Sequence, residues 1–272
     1  MRVLIFGHSD THGLGLNDRN QAWPRLLEAH LENAPFEQAA VIHRRLNLLR
    51  PGPLEYLDAE LEMHDPSVVV LALTSVTFSL PLVSVSVRRR FGARAAKRYL
   101  RFEGVVTGAL PSAAGAKRAD VFARWLARRL LGQATHMSVA TATEMHLEVL
   151  RRLSAHEGLR VVVISASLLA QSFQQREPWA NAQIHAFNGA LHERAEEYRM
   201  EWVDFEELLA RSGDHLACYS ADGVHKSEFG HRHIAREMAA VLASAPVPQG
   251  RPPDCLRGVN YQGKRPETPH AR

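Results

Sequence analysis

Ser9, Asp10, His8 and His12 stand together in GHSDTHG, with Thr11 among them and Gly7, Gly13 and Gly15 punctuating the stretch. These side chains support two kinds of chemistry. A serine hydroxyl becomes a nucleophile once a base takes its proton. Aspartate and histidine on one loop are ligands for a catalytic metal. The flanking residues say where the loop sits. Val3-Leu4-Ile5-Phe6 is a short apolar run that stops at Gly7, the pattern of a buried strand ending in a sharp turn. Trp23, Leu26, Leu27, His30 and Leu31 then recur at helical spacing. The local reading is strand, loop, helix. In open α/β sheets such a loop lies at the carboxyl end of a strand, where ligands bind.

The rest of the chain supplies a scaffold of the same kind. Residues 39–44, 67–73, 161–164 and 201–204 read as further strands, and 67–73 is nearly all apolar, as in a parallel strand covered on both faces. Helices are expected over about 20–32, 53–63, 136–157 and 227–243. Ile184, Phe187, Leu191, Ala195 and Tyr198 mark one more amphipathic stripe. Strands alternating with helices predict a parallel five-stranded sheet with helices on both faces. Two regions fall outside the alternation. Residues 76–118 read as an insertion, apolar with serines and then rich in Arg and Lys. Residues 245–272, rich in Pro, Gly and charge, read as a disordered tail.

A chain of 272 residues with 46% hydrophobic content is long enough for a large core. Its formal charge of +4 is unevenly spread. Between Arg88 and Arg129 twelve basic residues face two acids, so that segment carries +10 and the remainder −6. The segment reads as a helical excursion with a solvated basic face. The alternative is a lid that attracts an anionic substrate or surface. Few aromatics are interleaved, which argues against nucleic acid. No run is long and apolar enough for a transmembrane helix, and nothing reads as a signal peptide. Two cysteines, Cys218 and Cys255, are too few for a disulfide framework. The expectation is a cytoplasmic protein.

GHSDTHG resembles the first block of the SGNH/GDSL hydrolases, GDSxTxG: Gly7, Ser9, Thr11 and Gly13 match, and His8 stands where the family has Asp. Ala22-Trp23-Pro24-Arg25-Leu26-Leu27 is similar to the family's first helix. Asp222-Gly223-Val224-His225, then Gly230-His231 and Ile234-Ala235, look like its last block, DGVHxxxxGHxxIA. The resemblance covers residues 1–75 and 136–244. It implies a flavodoxin-like α/β/α fold over residues 1–244, Ser9 as nucleophile, His225 as base and Asp222 as its orienting partner. No cofactor is implied. The middle blocks depart from the pattern. The third-block Asn maps to Ser75, with Thr74 as a second oxyanion candidate, and the second-block Gly falls near Asn47, a residue able to adopt φ > 0 in its place. His231 and His233 read as structural or solvated.

The chemistry so implied is an acyl-enzyme route for a small-molecule ester: a carboxylic ester, an acetylated sugar or a lysolipid. Two readings on the same fold compete, an acyltransferase and a non-catalytic binding protein, the latter suggested by the altered middle blocks. A third comes from Ser9-Asp10-Thr11-His12-Gly13, which also looks like the opening of calcineurin-like metallophosphoesterases, with Gly230-His231-Arg232-His233 echoing their late GHxH. The carboxylates and Asn of that family's intervening motifs are missing after the third strand, so no metal is expected.

Overall fold

The structure, a computed structural model, describes residues 1–32, 39–80, 82–109, 129, 134–174 and 177–244. Its strands are β1 (Arg2–Gly7), β2 (Ala40–Arg45), β3 (Val68–Ala72), β4 (Arg160–Ile164) and β5 (Glu201–Val203). They form one sheet in the order β2-β1-β3-β4-β5, and every pairing is parallel. The helices in chain order are α1 (Trp23–Glu32), α2 (Pro53–His64), α3 (Val76–Ser79), α4 (Val83–Ala109), α5 (Val139–Ser154), α6 (Gln171–Gln174), α7 (Pro178–Glu197), α8 (Phe205–Ala210) and α9 (Glu228–Ala243).

Strand alternation divides the core into two layers. Leu4, Phe6, Val69, Leu71, Val161 and Val163 face one side, where α2, α5 and α7 bury Leu57, Leu150 and Phe187 against them. Val3, Ile5, Val70, Val162 and Ile164 face the other, against Trp23 and Leu27 of α1, Leu208 of α8 and Ile234 and Met238 of α9. Each such side chain contributes about 1.5–3 kcal/mol on leaving water. The protein is therefore a three-layer α/β/α fold on a five-stranded parallel sheet, as expected from the sequence. The chain leaves β1 toward β2 on one side and returns to β3 on the other. That reversal puts the carboxyl end of β1 at the crevice where such sheets bind ligands.

Local differences from the sequence reading have physical causes. The helix expected from residue 20 is split. Asp18 caps a 3₁₀ turn over Arg19–Gln21, its carboxylate accepting from the Asn20 N–H at 2.9 Å. The chain then extends at Ala22 before α1 starts, with Pro24 in the first turn, where a missing N–H costs nothing. Residues 76–79, expected to open the insertion, first make a core contact: Phe78 is buried and its ring lies 4.8 Å from that of Phe187. The basic excursion follows in α4, which is broken at Gly92 (φ 83°, ψ 173°). Arg88, Arg89, Arg90, Arg94, Lys97 and Arg98 are all exposed there, a solvated basic face. The rest of the expected insertion, 110–118, and the expected tail with Cys255 lie outside the described residues. Cys218 is buried and free.

His146 in α5 is a polar group inside this core. Its ring stands edge-on to Phe187, 5.0 Å between centroids, and Nδ1 donates to the Ala142 carbonyl at 2.7 Å. Burial pushes its pKa down to about 4, against a smaller upward pull from that hydrogen bond. An unfolded chain protonates this ring near 6.5. The unfolded state therefore binds more protons between pH 6.5 and 4, and stability falls as the pH is lowered through that window. Urea titrations should show this loss, and His146→Leu should flatten it.

Candidate active site

The turn after β1 is built on a close approach. A Cβ added to Gly7 would lie 2.1 Å from Thr11 Cγ2, so only glycine lets Thr11 fold back over the strand end. The Thr11 hydroxyl then donates to the His8 carbonyl at 2.8 Å. Residues Asp10–His12 close into a 3₁₀ turn with Ser9 at its head (φ −58°, ψ −46°). The Ser9 carbonyl accepts from the N–H groups of His12 and Leu14 at 3.2 and 3.0 Å. Ser9, 8% exposed, lines a cavity of about 40 Å³ at the carboxyl edge of the sheet. His8, Asp10, Thr74, Ser75, Ser165 and Ser167 line it with Ser9.

A second loop faces this turn from between β5 and α9. Tyr219 and Lys226 bridge its base, and the Ser220 N–H donates to the His225 carbonyl at 2.9 Å. Asp222 organises the tip. Its Oδ1 accepts from the Ser220 hydroxyl at 2.7 Å and from the N–H groups of Val224 and His225 at 2.8 and 2.9 Å. Its Oδ2 pairs with His225 Nδ1 at 2.6 Å. Burial pushes the Asp222 carboxyl up, but these hydrogen bonds outweigh it and hold the group well below the usual carboxylate range. The same contact raises the His225 pKa against burial, with Asp10 adding to the rise and Lys226 opposing it. The bond to Oδ2 puts a proton on Nδ1 and leaves Nε2 as the acceptor nitrogen.

The two loops touch at Gly15. It has φ +92°, and a Cβ there would lie 3.1 Å from His225 Cβ. The first block of the sequence and the last are thus packed on each other, with Ser9 in one and His225 and Asp222 in the other.

The remaining candidates separate. Ser75 caps the start of α3, its carbonyl accepting from Phe78 and Ser79, and both it and Thr74 line the Ser9 cavity. Asn47 does not line that cavity. It is not left-handed either: among the described residues only Asp65 and Arg199 combine a side chain with positive φ. Its carboxamide instead accepts from the Leu49 N–H at 3.1 Å and holds the turn after β2. That turn has its own side-chain brace, so no glycine-like residue is required. His8 accepts from Arg45 at 3.1 Å through Nε2. Burial, then Arg45, push its pKa to about 4, so it stands beside Ser9 as a neutral ring. His233 bridges α9 to the Leu208 carbonyl at 2.7 Å, and His231 accepts from the Trp23 N–H at 3.3 Å. Both are structural, as expected. His12 packs edge-on to His43 at 5.0 Å, and among the described residues no group of three or more His, Cys, Asp or Glu is arranged to hold a metal ion.

Three lining or supporting groups escaped the sequence reading. Ser165 accepts from the Phe205 N–H at 2.8 Å, Ser167 accepts from Lys226 Nζ at 2.6 Å, and Lys226 itself is fully buried. The two serines carried a usable signal, because Ser165-Ala166-Ser167 follows an apolar run at the same sheet edge as Ser9 and Ser75. Lys226 carried none.

No family model matches the sequence, and no curated protein does. Solved structures do match in fold. The lipase/acylhydrolase from Enterococcus faecalis is 16% identical and aligns over 88% of this chain and 96% of its own, with a TM-score of 0.54. TesA is 17% identical over 89% and 98%, with a TM-score of 0.53. The psychrotrophic esterase EstA from Pseudoalteromonas sp., in a structure inhibited by monoethylphosphonate, is 14% identical over 89% and 96%, at 0.51. The likeness extends over nearly the whole of each. This chain therefore has the fold of the SGNH/GDSL lipolytic proteins.

Asp222→Asn removes the anion that faces His225. The His225 ring should then titrate at lower pH than in the wild type, as followed by its NMR resonances. The Nδ1 proton should lose the strongly hydrogen-bonded character that a 2.6 Å contact confers.

Proposed function

We propose that this protein is a serine hydrolase that cleaves an ester bond through an acyl-enzyme on Ser9. The observation that carries the reading is the hydrogen bond from His225 Nδ1 to Asp222, on a loop packed against the turn that holds Ser9. A carboxylate kept ionised fixes the imidazole tautomer and stabilises the imidazolium. Nε2 is then free to take the Ser9 proton as the hydroxyl attacks the ester carbonyl. The alcohol leaves with that proton, and water, deprotonated by His225, hydrolyses the acyl-enzyme. Developing charge on the carbonyl oxygen needs donors. The Ser9 N–H, at the head of a turn, is one. The Ser75 hydroxyl, with Thr74 beside it, is the other in this reading, in place of a longer side-chain amide. His8, neutral and held by Arg45, adds no competing charge next to the nucleophile.

The named fold neighbours include a lipase/acylhydrolase and an esterase, which supports an ester as the substrate class. Water and an alcohol acceptor both suit the same acyl-enzyme, so transfer to an alcohol is the second reading. Addition of an alcohol to the assay should partition product between acid and new ester. No helix among the described residues is long and apolar enough to cross a membrane. The exposed cations of α4 are proposed to draw an anionic substrate or surface toward the site, an attraction that weakens with salt.

A fluorophosphonate probe should label the wild type and fail to label Ser9→Ala. Hydrolysis of p-nitrophenyl acetate should be lost in Ser9→Ala and fall by about 10³–10⁴ in kcat in Asp222→Asn. Ser75→Ala should lower kcat by about 10²-fold with little change in KM, the mark of a group that acts in the transition state. Equal labelling of wild type and Ser9→Ala would remove Ser9 as the nucleophile.

A further inference from the structure

Lys226 follows His225 in sequence, and Asp10 follows Ser9. The base and the nucleophile of the proposed mechanism thus each carry a charged neighbour, of opposite sign. Lys226 is 0% exposed. Its Nζ donates to Ser167 Oγ at 2.6 Å and to the Val224 carbonyl at 3.4 Å, and it stands 4.0 Å from the ring centroid of Tyr219 and 5.3 Å from that of Phe205. None of these partners carries a formal negative charge, and among the described residues no carboxylate oxygen lies within 4 Å of Nζ. A buried ammonium without a counter-charge is costly.

Three carboxylates bear on it electrostatically: Asp10, Glu206 and Asp222. Two are occupied. Glu206 accepts from the Leu168 N–H at 2.8 Å and the Tyr219 hydroxyl at 3.2 Å, and pairs with His215 at 2.8 Å. Asp222 holds four hydrogen bonds within its own loop. Asp10 differs, because its Oδ1 is buried and makes no hydrogen bond. Asp10 also lines the small cavity with Ser167 and Val224, the two groups that receive the Lys226 ammonium. His231 of α9, on which both Asp10 and Lys226 act electrostatically, is buried, with Nδ1 taken by the Trp23 N–H and Nε2 unpartnered. That bond leaves the proton on Nε2, a buried donor with no hydrogen-bond partner.

We propose that the half-buried Asp10 is the counter-ion of the buried Lys226, and that this pair clamps the Ser9 loop to the His225 loop. Asp10 and Lys226 are positioning residues. The proposal rests on the reading of Ser9 and His225 as nucleophile and base, but the clamp itself is a property of the fold. Charge recruitment explains why a lysine is held out of reach of bulk solvent, and why an aspartate stands next to a buried serine. It also ties two segments more than 200 residues apart by a force that needs no direct contact.

The test is a cycle of four proteins: wild type, Asp10→Asn, Lys226→Met and the double variant. Kinetics on p-nitrophenyl acetate and thermal unfolding are read on each. Each single variant should lose about tenfold or more in kcat, with KM changed less. The double variant should recover at least tenfold over Lys226→Met, because no charge is left unpaired. The pH profile separates clamping from mere damage. His225 is faced by Asp222 and Lys226 from its own loop, by Asp10 from the Ser9 turn and by His231 from α9. Loss of the Asp10 anion should move the acid limb of kcat/KM to lower pH, and loss of the Lys226 cation should move it to higher pH. Limbs that stay in place or move together would overturn the proposal, as would a double variant no better folded or faster than Lys226→Met. If Lys226→Met does not fold and the double variant does, the proposal stands. If Ser9→Ala still takes up the fluorophosphonate, the hydrolase reading fails by itself, and the unfolding midpoints of the four proteins still decide whether the pair exists.

Discussion

Everything at the site depends on one steric fact, the absence of a side chain at Gly7. Thr11 occupies the volume a Cβ would take, within 2.1 Å. This contact bends the chain straight from a buried central strand into a 3₁₀ turn. Ser9 is thereby held at the head of the turn at the carboxyl edge of the sheet, with little room to move. Gly15 repeats the device eight residues later, bringing the same segment against the ring of His225. Two glycines, in effect, determine where a strand end and a distant loop meet. A side chain at Gly7 would collide with Thr11, and one at Gly15, with φ +92°, would also strain the backbone.

Electrostatics then acts on this geometry in layers. Asp222 is satisfied locally by its own loop, so it arrives ionised and oriented regardless of what lies opposite. His225 takes its tautomer from Asp222. His8 is kept neutral by burial and Arg45, and His231 by burial. The charged groups around Ser9 include Asp10, Lys226 and Asp222, with Arg45 behind the neutral His8. Where such groups leave bulk solvent, as Lys226 does, their effects at short range are large.

Much of this was legible in the sequence, and the boundary of legibility is instructive. Strand-and-helix alternation gave the three layers, because buried parallel strands need unbroken apolar runs and their covering helices need stripes. The Gly7, Ser9, Thr11 and Gly13 spacing was readable through its resemblance to the GDSxTxG block, and the Gly7–Thr11 contact gives that spacing a steric reason. Asp222 and His225 were readable through the resemblance of DGVH and GHxxIA to the family's last block, and their i, i+3 spacing in a turn suits the pairing seen. Asn47 misled, since a turn can be held by a side chain accepting from the backbone as well as by a left-handed residue. Lys226 was invisible for a different reason. Burial of a lysine is decided by groups from Ser167, Phe205 and Tyr219, which no local pattern connects. His8, read only as a departure, gained a role once Arg45 of the neighbouring strand was seen to fix it.

The inaccessibility of Lys226 has a practical use. A primary amine sealed from solvent does not meet reagents in solution while the loop around it stays closed. Its rate of modification by an amine-reactive label therefore measures how often the Tyr219–Lys226 loop opens. The exposed lysine of α4, Lys97, serves in the same sample as the reference for unhindered reaction. The chain thus carries its own clock for the breathing of the loop that bears Asp222 and His225.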